Sequence, residues 1–327
     1  MTLRLSLHHE DWPLSKPFRI TGWVWDSFPA IVVELCDGRH VGRGEGEGIY
    51  YRDETPAVMA AQVESVAGRI EAGAGRLDLL DLLPPGGARN AVDAALWDLE
   101  AKRSGRRVWE LAFLAPRPLT TVMTIGIEET PEAMAAKAAA MAAHALLKVK
   151  LDDYEPVRRL EAIRAARPDA RLVVDANQGW TFAQLCEVAP RLRELGVEMI
   201  EQPLPRGGDE ALEGYESPVP LSGDESCVDI TELDAAARRY AMINIKLDKC
   251  GGLTAGLQLA AGARERGLGL MVGNMGGSSL AMAPAFVLGL ACDFHDLDGP
   301  LLLRRDRPFG LTYDHGFVEP PDASLWG

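Results

Sequence analysis

The chain has 327 residues, a formal net charge of −14, 47% hydrophobic residues and 25% charged residues. This length exceeds one ordinary domain, and the composition is that of a globular protein with room for a large core. A surface this acidic repels phosphate backbones and anionic lipid heads, so neither nucleic acid nor a membrane is an expected partner. The simplest interpretation of the charge is solubility.

The five cysteines indicate a reducing compartment. They are scattered along the chain without a CxxC pair, so neither a disulfide framework nor a zinc cluster is predicted. The amino terminus alternates like a strand and lacks the apolar stretch of a signal peptide. The longest apolar stretch, 279–292, is too short for a membrane span and contains Pro284. We therefore expect a cytoplasmic protein.

Residues 1–115 predict an α+β domain. Residues 3–7 alternate like a strand, and residues 30–35 are rich in β-formers. Helical patterns follow at 55–71, which opens with Thr-Pro, and at 88–103, where apolar residues share one face. Strands followed by helices are typical of an α+β unit, here expected to cap a second domain.

From about residue 119, short apolar runs alternate with amphipathic helices at a spacing of roughly 22 to 26 residues. Eight such repeats predict an α/β fold with a modified (β/α)8 TIM-type barrel over 116–303 and the N-terminal capping domain before it. A doubly wound sheet is the alternative, but it normally uses five or six parallel strands. The tail, 304–327, is expected to pack back on the cap. The predicted barrel strands are 119–125, 145–150, 171–175, 197–201, 219–223, 242–246, 268–273 and 292–297.

Charged side chains stand at the ends of several predicted barrel strands. The carboxyl ends of barrel strands meet at one face, so these side chains should converge there. Three carboxylates in a small space repel one another unless a cation lies among them, and oxygen ligands without His or Cys suit Mg²⁺ or Mn²⁺. The residues concerned are Lys148, Lys150, Asp175, Glu201, Asp224, Lys246, Asp296 and Asp298.

Lysines on both sides of a metal suit proton transfer at a carbon next to a carboxylate. A divalent ion on that carboxylate stabilises the enediolate, and nearby cations lower the pKa of a lysine toward working pH. Removal of the proton from one side and its return from the other inverts the stereocentre. Lys249 is an alternative to Lys246 as the base, but Lys246 closes the apolar strand whereas Lys249 precedes a Gly-Gly turn.

Several motifs together resemble the muconate-lactonizing branch of the enolase superfamily, in that family's order and spacing. The Asp-Leu-Asp-Gly-Pro segment at 296–300 narrows the resemblance to the dipeptide epimerases. Lys-Pro-Phe at 16–18, Gly-Arg-Gly-Glu at 42–45 and the segment 88–99 resemble that family's cap, so the resemblance covers nearly the whole chain. The barrel motifs are Lys-Val-Lys (148–150), Asp-Ala-Asn-Gln-Gly-Trp (175–180), Glu-Gln-Pro-Leu (201–204), Asp-Glu-Ser (224–226) and Asn-Ile-Lys-Leu-Asp-Lys-Cys-Gly-Gly-Leu (244–253).

The resemblance implies a metal site and an acid/base pair. Asp175, Glu201 and Asp224 would bind one Mg²⁺, with Mn²⁺ as a possible substitute. Lys150 and Lys246 would be the acid and the base that invert the α-carbon of the C-terminal residue of a dipeptide. A homo-oligomer is also implied by the family.

The resemblance further implies roles for three substrate-binding residues. Lys148 would position the substrate carboxylate and depress the pKa of Lys150, and Asp296 and Asp298 would hold the substrate's α-ammonium. An N-acylamino acid racemase, an o-succinylbenzoate synthase and a muconate cycloisomerase are alternatives, but their substrates have no ammonium for the Asp-Leu-Asp motif. A non-catalytic binding barrel is a second alternative, against which the intact acid/base positions argue.

One departure from the family concerns the cap loops. Ala-Glu epimerases carry an arginine after the Pro-Phe segment that pairs with the substrate's glutamate; here Trp23 and Trp25 occupy that region, and Arg19 lies too early. The second loop, 48–51, is aromatic as well and contains Tyr50. We infer that Trp23, Trp25 and Tyr50 contact the substrate and favour an apolar or aromatic second residue over Glu. A buried place in the cap core is the alternative for the tryptophans.

Overall fold

The computed structural model describes residues 3–327. The first part of the chain is a three-stranded antiparallel sheet with helices against one face. Its long hairpin pairs from Arg4 with Cys36 to Ile20 with Trp23, and this hairpin brings the loop tip to the mouth of the barrel. The elements are β1 (Arg4–Ile20), β2 (Trp23–Cys36), β3 (Val41–Glu47), α1 (Pro56–Glu71), α2 (Arg76–Leu82), α3 (Gly87–Ser104) and α4 (Val108–Leu111), with a 3-10 turn at Tyr50–Arg52.

The helix predicted at 55–71 begins as its sequence indicates. Thr55 has an extended backbone, its hydroxyl accepts a hydrogen bond from the Val58 amide at 3.3 Å, and Pro56 follows it. Apolar residues of α1 and α3 then pack on the inner face of the sheet and form a core distinct from that of the barrel.

Glycine allows β3 to lie directly on α3. A Cβ placed on Gly44 would sit 2.1 Å from the carbonyl oxygen of Ala91, and Gly42 and Gly46 meet α3 at similar distances. Because the side chains of a strand alternate, Glu45 and Glu47 point to the opposite face, toward the barrel.

Replacing Gly44 with alanine is expected to lower the free energy of unfolding by about 1–3 kcal/mol, because the backbones of β3 and α3 must separate. Urea unfolding followed by circular dichroism measures this change. Gly68→Ala in α1 is the matched control: its Cβ meets nothing within 4 Å, so the variant should gain roughly 0.4–1 kcal/mol. Equal stability of the Gly44→Ala variant and the wild type would contradict the close packing.

The second part of the chain forms a sheet of eight parallel strands wrapped by helices, which confirms the predicted fold class. The two edges of the sheet approach each other where the Val122 amide donates to the His295 carbonyl oxygen at 2.8 Å. The strands are β5 (Met123–Ile125), β6 (Leu146–Lys150), β7 (Arg171–Asp175), β8 (Val197–Glu201), β9 (Leu221–Gly223), β10 (Met242–Lys246), β11 (Gly269–Gly273) and β12 (Phe294–His295). The helices are α5 (Pro131–Ala140), α6 (Pro156–Ala166), α7 (Phe182–Glu194), α8 (Leu233–Arg239), α9 (Leu247–Cys250), α10 (Leu253–Glu265), α11 (Ser279–Gly289) and α12 (Gly299–Leu302), with 3-10 turns at Glu210–Leu212 and Ile230–Glu232.

The first predicted barrel strand, 119–125, is in fact two strands. Its beginning, β4 (Leu119–Thr120), pairs antiparallel with a hairpin strand near the end of the chain and thus belongs to a separate small sheet. The chain leaves that sheet at Thr121, whose amide donates to Gly316, before β5 joins the barrel. The hairpin comprises β13 (Tyr313–Asp314) and β14 (Phe317–Val318).

Buried polar contacts hold the cap on the barrel. Asp93 on α3 accepts hydrogen bonds from the amide and the hydroxyl of Thr254, which also accepts one from the Trp97 indole at 3.0 Å. At the end of the chain, the Trp326 indole donates to the Ala94 carbonyl oxygen at 3.1 Å. These contacts fix the cap loops relative to the barrel mouth. No helix within residues 3–327 has the length and apolarity needed to cross a membrane.

Candidate active site

The predicted charged residues converge at the carboxyl ends of the barrel strands. On β6, Lys148 and Lys150 lie two residues apart and therefore point to the same side of the sheet. Asp175 ends β7, Glu201 ends β8 and Lys246 ends β10. All five side chains are buried, so their charges act on one another through little solvent.

The ammonium group of Lys148 lies among three carboxylates. Its Nζ is 3.1 Å from Asp175 Oδ2, 2.8 Å from Glu201 Oε2 and 2.8 Å from Asp296 Oδ2. Lys150 Nζ lies 2.6 Å from the same oxygen of Asp175. The structure thus brings carboxylates from β7, from β8 and from the segment after β12 together around Lys148.

Two further lysines flank Asp224. Lys246 Nζ lies 2.7 Å from Asp224 Oδ2, and Lys249 donates to Asp224 Oδ1 from the other side. Lys249 also donates to the carbonyl oxygens of Asn244 and Cys227 and is 1% exposed, so it is sealed behind the carboxylate. Lys246 lines the cavity, which favours it over Lys249 as the base.

The carboxylates are unequal in proton affinity. Burial alone would raise the pKa of Asp175, but Lys150 and Lys148 outweigh it and bring that pKa to about 2. Burial, reinforced by Asp175 and Asp224, raises the pKa of Glu201 to about 7. Burial lowers the pKa of Lys246, but Asp224 and Glu201 raise it more, so its ammonium form is favoured. A lysine held this way needs another cation among the carboxylates before it can act as a base.

The donor set fits Mg²⁺. The three carboxylates are fully buried and offer oxygen only, and Glu201 Oε2 has no hydrogen-bond partner among the described residues, although the Lys148 ammonium lies nearby. Within residues 3–327, no three Asp, Glu, His or Cys side chains lie close enough together to coordinate one metal ion. Lysine ammonium groups lie between the carboxylates and keep them apart. A divalent ion among Asp175, Glu201 and Asp224 would replace those ammonium groups and release the lysines.

Asp296, which contacts Lys148, forms an acidic pair with Asp298. Asp298 accepts a hydrogen bond from the Thr124 amide at 2.7 Å, and Asn274 donates to the Asp296 carbonyl oxygen at 2.8 Å. Burial and the neighbouring Asp296 raise the pKa of Asp298 to about 8. This carboxyl lacks a lysine of its own, so a cationic ligand group would stabilise its charged form.

The cap closes the site with aromatic side chains. Trp25 and Tyr50 line the cavity beside Lys150 and Lys246, whereas Trp23 stacks on Trp25, with ring centroids 6.1 Å apart, and lines an adjoining cavity. Arg19 points into a different groove, beside Glu128.

Other residues of the site were not predicted from the sequence. Asn244, which donates to Glu201 Oε1 at 2.8 Å, lies two residues before Lys246, so strand alternation could have identified it. Phe28 and Met275 also line the cavity, but neither belongs to a motif that the sequence singles out.

Comparison with known proteins agrees with this geometry. Residues 132–324 match the family described as enolase C-terminal domain-like. The chain is 42% identical to the L-Ala-D/L-Glu epimerase of Escherichia coli K12, over 95% of the chain and 98% of that protein. It is 41% identical to the N-acetyl-D-glutamate racemase of a Pseudoalteromonas species, over 91% of the chain and 95% of that protein.

Solved structures show the same likeness. An enolase family member from Agrobacterium tumefaciens, with bound sodium and L-Ala-L-Glu, has a TM-score of 0.97 and 41% identity, covering 99% of this chain and 100% of that one. The dipeptide epimerase of Enterococcus faecalis V583, complexed with Mg and L-Leu-L-Tyr, has a TM-score of 0.91 and 26% identity, covering 98% of both chains.

The chain belongs to the enolase superfamily. Within that superfamily it is an isomerase, a racemase or epimerase whose relatives include the dipeptide epimerases.

Proposed function

We propose that the protein is a dipeptide epimerase that inverts the α-carbon of the C-terminal residue. The observation that supports this most strongly is the arrangement of Lys150 and Lys246 beside different buried carboxylates, with the Asp296 and Asp298 pair in the same cavity next to Lys148. One arrangement thus offers a place for each charged end of a zwitterionic dipeptide and a lysine for each face of its α-carbon.

Each residue has a role in this reaction. Asp175, Glu201 and Asp224 would hold Mg²⁺, which when bound supplies positive charge to the substrate carboxylate. Lys150 removes or returns the α-proton on one face, and Lys246 does so on the other, through the Nζ atom in each case.

The remaining side chains orient the substrate. Lys148 lies between Asp175, Glu201 and Asp296, where it would position the substrate carboxylate. Asp298 accepts hydrogen bonds from the α-ammonium, whose charge stabilises the ionised form of the acid. The cap rings exclude water from the proton-transfer atoms.

The aromatic cap supports a preference for an apolar or aromatic second residue over glutamate. Phe18, Trp25, Phe28 and Tyr50 line the cap side of the cavity, and Arg19, the basic residue nearest this wall in sequence, points into another groove. Against the cap side of the cavity, a glutamate side chain would lose its hydrating water without gaining a cationic partner. Binding of that side chain would therefore cost free energy.

The test is α-proton exchange in D₂O with Mg²⁺ and a panel of L-Ala-L-Xaa and L-Xaa-L-Glu dipeptides, read as mass gain. Gain of one deuterium in a subset, abolished by EDTA, is the expected result. L-Ala-L-Glu as the clear best substrate would contradict the aromatic preference, and no exchange in any dipeptide would overturn the assignment.

Racemisation of an N-acylamino acid is a second candidate, favoured by the 41% identical N-acetyl-D-glutamate racemase. Such a substrate has an amide in place of the ammonium. The acidic pair of Asp296 and Asp298 therefore distinguishes the two activities.

Asp298→Asn is expected to lower kcat/KM for dipeptides roughly tenfold to hundredfold, because a charged hydrogen bond to the ammonium is lost. N-Acylamino acid turnover, if it is the activity, should instead be unchanged or increased. The exposed Asp314→Asn variant is the control for loss of one negative charge. Unchanged dipeptide kinetics in Asp298→Asn would contradict its role in binding the ammonium.

A further inference from the structure

Helix α3 of the cap lies directly on the turn that follows β10. This turn consists of α9 and the two glycines after it, both with positive φ angles, and we call it the 247–252 turn. A Cβ placed on Gly251 would lie 2.2 Å from Arg89 Nε. A Cβ placed on Gly252 would lie 2.5 Å from that of Asp93. The glycines therefore allow the backbone of the turn to touch α3 where any other residue would collide with it.

Arg89 holds the carbonyl end of the 247–252 turn. It is 5% exposed, and its guanidinium donates to the carbonyl oxygens of Cys250 at 2.6 Å and Gly251 at 3.1 Å. The same guanidinium donates to two carbonyl oxygens at the end of α2, at 3.1 and 3.3 Å. One planar group thus joins the carbonyl ends of a cap helix and of the turn, a geometry that the compact ammonium of a lysine does not match.

Two further residues of α3 hold the same stretch of chain. Asn90 Nδ2 donates to Asp248 Oδ1 at 2.8 Å, near the start of the 247–252 turn. Asp93 accepts hydrogen bonds from the amide and the hydroxyl of Thr254, just beyond the turn. One helix therefore fixes the turn near its start, at its end and immediately after it.

The turn determines where two lysines of the active site lie. Lys246 immediately precedes α9, and Lys249 lies within it. Their ammonium groups contact different oxygens of the Asp224 carboxylate, Lys246 at Oδ2 and Lys249 at Oδ1. Because both lysines belong to one short segment, a shift of the turn would move Lys246 Nζ within the cavity. Lys150 lies on β6, where none of the hydrogen bonds from α3 described above ends.

We propose that Arg89 is a positioning residue for the base, and that it fixes Lys246 beside the α-carbon through the 247–252 turn. The proposal rests on the proposed epimerisation, in which Lys246 serves one face of the α-carbon and Lys150 the other. Arg89 acts through the backbone of the turn rather than on the substrate. The reaction on the Lys246 face therefore depends on the cap helix, whereas the reaction on the Lys150 face does not.

The first test is hydrogen–deuterium exchange of the backbone amides in Arg89→Lys, read by mass spectrometry. This variant keeps the buried positive charge but loses the planar fork that reaches both carbonyl ends. Amide exchange in residues 247–254 should become faster by about tenfold or more, because the turn opens more often, and exchange in β6 should be unchanged.

The second test is deuterium uptake at the α-carbon in the same variant, with each epimer of the best dipeptide incubated separately. Lys246→Met identifies the epimer whose proton Lys246 removes. In Arg89→Lys, uptake by that epimer should fall about tenfold to hundredfold, because the base is displaced, and uptake by the other should stay within about threefold of the wild type. A general loss of stability would lower both rates alike.

Trp326→Phe is the matched control. It removes a buried hydrogen bond to the same helix, from the Trp326 indole to the Ala94 carbonyl oxygen at 3.1 Å, and this bond does not involve the 247–252 turn. The variant should lose stability, but its ratio of the two epimer rates and its amide exchange in the turn should match those of the wild type.

Asn90→Ala keeps the inference testable if Arg89→Lys fails to fold. Asp248 keeps its hydrogen bond from the Glu47 amide, so the same selective fall is expected, by about threefold to tenfold. Unchanged amide exchange in the turn, or an equal fall for both epimers, would overturn the positioning role. Absence of α-proton exchange in every dipeptide with the wild type would instead overturn the proposed function, and amide exchange would still decide whether α3 fixes the turn.

Discussion

Replacing Lys246 with methionine is expected to abolish epimerisation while leaving α-proton exchange intact for one of the two epimers. Lys150 can still remove and return the proton on its own face, but no acid remains on the other face. We expect interconversion to fall by at least about a thousandfold. Lys150→Met should show the same loss, with exchange retained for the opposite epimer. The measurement is deuterium uptake and chiral chromatography with each epimer incubated separately in D₂O.

The fold should survive these changes. Lys249 still pairs with Asp224 when Lys246 is replaced, and Lys148 still pairs with Asp175 when Lys150 is replaced, so neither buried carboxylate is left alone. Lys137→Met, at a partly exposed position on α5, serves as the control. Loss of exchange for the same epimer in both lysine variants would contradict the assignment of one lysine to each face.

Asp175→Asn is expected to weaken Mg²⁺ binding and to lower turnover by roughly two to four orders of magnitude, which corresponds to several kcal/mol of lost charge stabilisation. Asparagine keeps the shape of the side chain but removes the negative charge that lies beside Lys148 and Lys150. Calorimetric titration of the metal-free protein with Mg²⁺ measures affinity separately from activity.

The exposed Asp153→Asn variant provides the control for this experiment. It should bind Mg²⁺ like the wild type, and EDTA should inactivate both reversibly, with recovery on addition of Mg²⁺ or Mn²⁺. The same Mg²⁺ affinity in Asp175→Asn as in the wild type would rule out this carboxylate as a ligand.

The barrel could be predicted from the sequence because each βα repeat has its own local signal. A short apolar run followed by a charge marks each of Lys150, Asp175, Glu201 and Lys246, and a barrel gathers strand ends at one face whatever their spacing in the chain. The separation of β4 from β5 was not predictable, because it depends on pairing with β14, nearly two hundred residues further along the chain.

Contacts between distant segments could not be predicted for the same reason. Lys249 reaches Asp224 only because α9 turns back directly after β10, and Glu47 meets Asp248 only because the cap lies on the barrel. Phe28 from the cap and Met275 from the barrel line the same cavity without any periodic signal in the sequence. Tertiary packing, rather than local preference, determines such neighbours.

The division of the chain between cap and barrel has a consequence for the evolution of the enzyme. The lysines of the site and the carboxylates proposed to bind the metal all come from β6 onward, whereas Trp25 and Tyr50 lie within the first 50 residues. If the protein has the proposed function, mutations in that amino-terminal stretch would alter which peptide is accepted without disturbing the proton-transfer groups. A duplicated gene could therefore diverge in substrate specificity while it keeps the same proton-transfer chemistry.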